Sequence, residues 1–245
     1  SMGKDSIGWG CMVAMSSLQL AGMGFTGIQP LFEDCPEPAW IAKLGKDYQI
    51  MNLYFKPYCA CRWAQPAVEG VLAIIEEHSI TPQEIAEINV HTFPEAAALN
   101  TRPPKNTEEA QYNMAFPIAA ALLDGEVGPE QVLPPRLFAE DLQAVMAKIK
   151  VTAQDRFQKA FPARALAEVE LTTTQGTSLR SGTFAAPWDP DSSLPADKEL
   201  EEKFLRYVSP LLGEKAAQRL TKLVWDFEQE PQAEVLIEAC RMVPD

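Results

Sequence analysis

Between Ile7 and Met23 the chain offers no polar face: Met12, Val13, Met15, Leu18, Leu20 and Met23 point in every direction around a helix. A helix apolar on all sides belongs inside a bundle, and Gly24 and Gly27 end it. A loop with Pro30, Pro36 and Pro38 leads to a short helix predicted from Ala39 to about Leu44, then to a strand from Met51 to Phe55. Val68, Val71, Leu72 and Ile75 then recur at helical spacing, the mark of one buried stripe. Thr81-Pro82-Gln83-Glu84 is a capping box with proline at the first helical position. Ile88 to Phe93 alternates, which predicts a strand.

A helix is predicted from about Glu108 to Leu123, with Pro117 either kinking it or sitting in a first turn. Leu142, Val145, Met146 and Ile149 mark another helical stripe, followed by a strand near Lys150 to Ala153. Alternation from Ala165 to Thr173, the turn Gln175-Gly176, and a return over Thr177 to Phe184 form a hairpin pattern. Ala185 to Pro195, rich in proline, aspartate and serine, is the best linker candidate. Three helical stretches close the chain, carrying Leu200, Phe204 and Tyr207; then Ala216, Leu220, Leu223, Val224 and Phe227; then Val235, Leu236 and Ala239. Helix, a mixed block, then helices again is an α+β order.

The 245 residues suffice for one large domain or two smaller ones. The hydrophobic content of 47% is that of a folded protein, so disorder is not expected. A net charge of −13 disfavours nucleic acid and an anionic membrane as partners. It leaves room for a small anion only where the charge is locally reversed. Five scattered cysteines fit a reduced, cytoplasmic protein, and no stretch is long and apolar enough for a membrane span. Cys59 and Cys61 invite a metal reading. Two thiols without a nearby histidine or a second pair do not complete a zinc set, so free thiols and no metal are expected. No Gly-x-Gly-x-x-Gly or Walker-type loop supports a nucleotide cofactor.

The candidate chemistry lies in Tyr54-Phe55-Lys56-Pro57-Tyr58-Cys59-Ala60-Cys61-Arg62-Trp63-Ala64-Gln65-Pro66-Ala67. A strand-like segment running through a Lys-Pro corner into a helix would display Lys56 and Arg62 at the helix mouth. There the positive dipole end and free N–H groups favour carboxylates or phosphates. Both are equally readable as surface cations with snorkelling stems, and Arg62 either clamps a ligand carboxylate in bidentate fashion or pairs with Glu69. Tyr58 and Trp63 read as wall or core aromatics.

This segment resembles the lysine-proline-aromatic motif of the MmgE/PrpD family, which includes 2-methylcitrate dehydratase, cis-aconitate decarboxylase and iminodisuccinate epimerase. Lys4-Asp5-Ser6-Ile7-Gly8-Trp9-Gly10 with Gly24-Phe25-Thr26-Gly27 is similar to a second family segment. Ala110-Gln111-Tyr112-Asn113-Met114-Ala115-Phe116-Pro117, running into Ala121-Leu122-Leu123-Asp124-Gly125, is similar to a third. The order and spacing of all three fit the later half of a family member. The resemblance implies part of an all-helical domain, 1–52 with the linker and tail of 189–245, interrupted by an α+β lid over 53–188.

It further implies a cofactor-independent lyase or epimerase that abstracts a proton next to a carboxylate of a small di- or tricarboxylate. Lys56 and Lys4 would be pocket lysines with a catalytic role, and Tyr58, Arg62, Gln65 and Phe116 would touch substrate. Two positions depart from the family. Gln65 stands where many members have histidine and Phe116 where some have tyrosine, so neither can exchange a proton here. The alternative is a catalytically incomplete chain that binds a carboxylate or another protein. With family helices missing, uncovered apolar stripes predict a homodimer or higher oligomer.

Overall fold

The computed structural model describes residues 7–27, 43–190, 192–230, 232 and 234–240. Lys4 and most of the short helix expected after Pro38 lie outside them; the described Lys43 to Lys46 form a turn. The chain divides into two compact units, Ser1–Asn52 and Leu53–Asp245. In the first, α1 (Ile7–Gly22) forms as its pattern predicts. Every described residue from Gly8 to Gly27 is nevertheless exposed, including Trp9, Met12, Leu18 and Met23.

The second unit is α+β. Helix α2 (Gln65–His78) is followed by β1 (Ile85–Thr92), α3 (Ala115–Asp124), α4 (Glu140–Met146) and β2 (Ile149–Ala153). The hairpin β3 (Leu166–Thr173) and β4 (Ser178–Ala185) comes next. The tail is α5 (Asp197–Leu212), α6 (Glu214–Trp225) and α7 (Glu234–Cys240). The sheet order is β2-β1-β3-β4, with β2 parallel to β1 and the other pairings antiparallel.

Alternation assigns the two faces of this sheet. Ile88, Val90, Val169 and Leu171 point into the core, where α2 lies across β3 and β4 and α3 packs behind it. Glu87, His91, Glu168 and Glu170 take the opposite face, where Arg156 pairs with Glu168 at 2.9 Å and Arg180 with Glu170 at 3.2 Å. One face buried and one solvated is the usual condition of an antiparallel sheet. The close approach of α2 depends on Gly70. A Cβ there would stand 2.9 Å from Ser181 Oγ and 3.0 Å from a Val169 methyl.

Three expectations change. The segment Met51 to Phe55 is not a strand: Gln49–Asn52 is a 3-10 turn and the chain then runs irregularly to Lys56. A strand needs a neighbouring strand to receive its backbone bonds; here Met51 N–H turns back to Tyr48 O at 3.0 Å and Phe55 N–H reaches Trp188 O at 3.0 Å, outside any ladder. The helix expected from Glu108 to Leu123 breaks into Thr107–Gln111 and α3. Buried Asn113 makes the break, its side-chain oxygen accepting Phe116 N–H at 2.9 Å while its amide donates to Arg102 O at 2.8 Å. Pro117 thereby falls in the first turn of α3, where its missing N–H costs nothing. The linker candidate is tethered as well, by Ala186 N–H to Ala165 O at 3.0 Å, by Ser192 Oγ–H to Ala186 O at 2.8 Å and by a buried Asp189.

Candidate functional site

The Lys-Pro corner and the mouth of α2 are separate places. Cys59 N–H donates to Val127 O at 2.8 Å and Cys61 N–H to Gln111 O at 2.7 Å. Those donors are spent on the loop after α3 and the end of the Thr107–Gln111 helix, and helical turns begin only at Arg62–Ala64, ahead of α2. Arg62 therefore stands at the helix mouth and Lys56 does not. The Arg62 guanidinium is clamped on Asp189, donates to Ala163 O at 3.2 Å and lies 5.2 Å above the Tyr54 ring. The carboxylate held at the helix mouth is thus the protein's own. Glu69, the partner weighed for Arg62 from spacing, instead accepts the Tyr58 hydroxyl at 2.5 Å.

Gln65 and Phe116, both fully buried, belong to the core. Gln65 donates its amide to Ala60 O at 3.1 Å, and its side-chain oxygen has no partner among the described residues. Trp63 packs edge-on against Phe93 and Phe161, whose rings stack at 4.4 Å. Lys56 is exposed, and its backbone carbonyl receives the ammonium of Lys203 from α5.

Lys56 is followed directly by a cleft of about 290 Å³. Pro57 and Tyr58 line it on one side, Gly125, Glu126 and Val127 on a second, Trp188 on a third, and Glu199, Glu202, Lys203, Arg206 and Tyr207 along α5. Burial above all, then donation to Glu69 and that carboxylate's charge, push the Tyr58 phenol far above its ordinary value. Burial also pushes Tyr207 up. The Lys203 ammonium is pushed down, by burial first, with Cys59 opposing the shift and the Lys56 charge adding to it.

Trp188 has φ 57°, a left-handed conformation uncommon for a bulky residue. Its carbonyl is held by Phe55 N–H and its ring lies 5.7 Å from the Lys203 ammonium. Backbone held against its preference beside a cleft is a mark of functional regions. Next to the cleft, a Cβ on Gly128 would meet the Tyr207 hydroxyl at 3.0 Å, so glycine there lets that ring approach.

Lys203, Trp188 and Asp189 carried no signal of their own in the sequence. Lys203 is one of 21 basic residues, and the other two sit in the linker-like stretch. Tyr207 was legible only as part of the apolar stripe of α5. The i, i+4 spacing of Lys203 and Tyr207, which puts both on one helix face, is a signal only once that face is known to border a cleft. Among the described residues no group of three or more His, Cys, Asp or Glu is arranged to hold a metal. Among those residues, too, no helix is long and apolar enough to cross a membrane.

A search of curated proteins returns no match. Residues 58–229 match the family model of the MmgE/PrpD C-terminal domain, a span that takes in the sheet, α5 and α6 and every cleft-lining residue except Pro57. That match covers well over half the sequence, and the chain belongs to the MmgE/PrpD family.

Proposed function

We propose that this protein acts on a small di- or tricarboxylate as a lyase of the 2-methylcitrate dehydratase type, by removing a proton next to a carboxylate. Family membership supports a dehydratase-like function. The observation that carries the reading to this chain is the cationic corner where the Lys203 ammonium rests on the Lys56 carbonyl at the edge of the cleft. Proton loss from the carbon beside a carboxylate builds charge on that carboxylate, and a fixed ammonium is most effective where charge grows. Lys56 supplies that charge and Tyr58 forms the wall; elimination of water, decarboxylation or epimerisation follows from the same first step. The test is a thermal-shift panel of citrate, 2-methylcitrate and cis-aconitate, followed by the ultraviolet absorbance of the unsaturated acid during incubation. Stabilisation with turnover that Lys56→Ala abolishes is the expected result. An unchanged rate in that variant removes Lys56 from the mechanism.

A second reading, an interaction module, is favoured by α1. A helix apolar on every side and exposed along its whole described length calls for a covering surface, and a second copy of the chain is the proposed one. Light scattering after size exclusion tests it. A clean monomer at micromolar concentration counts against a homodimer.

A further inference from the structure

The charged groups bordering the cleft differ in how they are satisfied. Arg206 is ion-paired with Glu126. Glu202 pairs with Lys198 at 3.4 Å, and Glu199 accepts Ala196 N–H at 2.8 Å at the start of α5. Arg206 and Glu202 are thus ion-paired, and Glu199 caps its own helix. Lys203 differs: among the described residues its ammonium meets a neutral carbonyl, that of Lys56, and the face of Trp188, and no carboxylate. It is half-buried, so its ammonium is only partly hydrated. One turn further along the same face stands Tyr207, which also lines the cleft and whose hydroxyl lies against Gly128. In a protein of net charge −13, an unneutralised ammonium inside a concave wall is a local reversal of the field that a polyanion would otherwise meet.

We propose that Lys203 is the residue that receives one carboxylate of the small polycarboxylate ligand in this cleft, with the Tyr207 hydroxyl as a second donor to it. The assignment rests on the carboxylate reading above and gives it a residue on α5. It needs no covalent step. The ligand oxygen takes the place of the Lys56 carbonyl as acceptor of the ammonium, or shares it, and the charged pair so formed is shielded by the Trp188 ring. The groups facing Lys203 are Lys56, Cys59 and Tyr58 from the turn before α2, Glu126 from the loop after α3, and Glu199, Glu202, Arg206 and Tyr207 from its own helix.

The test is calorimetric titration of the full chain with citrate, 2-methylcitrate and cis-aconitate, for wild type, Lys203→Met, Lys203→Arg and Tyr207→Phe, each taken from neutral to alkaline pH. Loss of a charge-assisted hydrogen bond is expected to weaken binding about tenfold or more in Lys203→Met, while Lys203→Arg, which keeps the positive charge, loses less than Lys203→Met. The ammonium binds the anion only while protonated, and burial has moved its pKa down. Wild-type affinity should therefore fall at lower pH than an ordinary lysine allows. In Lys203→Arg that alkaline loss should vanish, because the guanidinium stays charged. Lys203→Met binding like wild type overturns the assignment and leaves the carboxylate reading standing; no binding of any of the three acids by wild type removes the reading itself. Should Lys203→Met fail to fold, Lys203→Arg and Tyr207→Phe decide the question. An unshifted pH profile in the first together with unchanged affinity in the second overturns the proposal.

Discussion

Arg62 and Asp189 stand 127 residues apart in the chain and are joined as an ion pair, with side-chain exposures of 15% and 8%. The pair ties the stretch between β4 and α5 to the mouth of α2, so it fixes one wall of the cleft through neighbouring Trp188. Breaking a buried pair from one side leaves a charge whose counter-charge is gone, a cost of about 3 kcal/mol. Arg62→Ala and Asp189→Ala should each lower Tm by roughly 6–12 °C. The double variant should cost less than the sum of the two. Thermal denaturation of the three variants checks this, and additive losses would show that the pair is not a unit.

Tyr58 is held neutral by burial and by donation to Glu69. Favouring the neutral form in the fold gives stability that is fully present below the ordinary tyrosine value of about 10 and lost as pH rises toward the folded-state value. Phenolate absorbance measured on folded protein at about pH 11 should therefore fall short of all five tyrosines. Tyr58→Phe should leave the folded-state amplitude at that pH unchanged while reducing the amplitude after unfolding. A drop in the folded-state amplitude would show that Tyr58 titrates normally.

Gln65 is completely buried and half satisfied. Gln65→Met removes one hydrogen bond and one unpartnered oxygen together, so stability should change by no more than about 1 kcal/mol. Gln65→Glu buries a carboxylate and should cost about 3 kcal/mol or more at neutral pH. Since burial raises a carboxyl pKa, the penalty should shrink as pH falls. Denaturant titrations at two pH values test both. Equal stabilities for the Glu and Gln forms would place this side chain in contact with solvent.

Gly70→Ala should destabilise the fold, although alanine is the better helix former by about 1 kcal/mol. The added methyl meets Ser181 Oγ, which cannot swing aside because it accepts Val169 N–H at 3.0 Å and donates to Gly182 O at 2.7 Å. The expected cost is about 1–3 kcal/mol, and Gly70→Ala combined with Ser181→Gly should recover part of it. A stabilised single variant would show that α2 can lift from the sheet freely.

Arg136 holds Asp124 at 2.6 and 2.9 Å through two nitrogens and Asp141 at 2.6 and 2.8 Å through the third. A lysine cannot reproduce this fork, so Arg136→Lys should cost about 1 kcal/mol. Arg136 keeps the Asp141 carboxyl below its ordinary range. The stability it lends is present above that range and lost as pH falls through the folded-state value. Acid unfolding of Arg136→Lys should therefore begin from a lower plateau and fall less steeply; an identical acid limb would exclude this carboxylate from it.

The sequence by itself determined what repeats locally. The stripe of Val68 and Val71 and the Gln175-Gly176 hairpin satisfy their backbone bonds with near neighbours, and the alternation of Ile88 and Val90 shows in consecutive residues although its partners β2 and β3 lie far along the chain, so periodicity suffices to locate all three. The family motifs are legible in the same way, as strings of adjacent residues. Tertiary structure decided whatever depends on partners far along the chain. Met51 to Phe55 found no neighbouring strand, Arg62 was taken by Asp189 and not by Glu69, and the cation lining the cleft that meets no carboxylate among the described residues is Lys203, which no motif contains. The physical reason is the same in each case. Hydrophobic period is a property of consecutive residues, whereas the neutralisation of a charge is settled by whichever group the completed fold brings within a few ångströms of it.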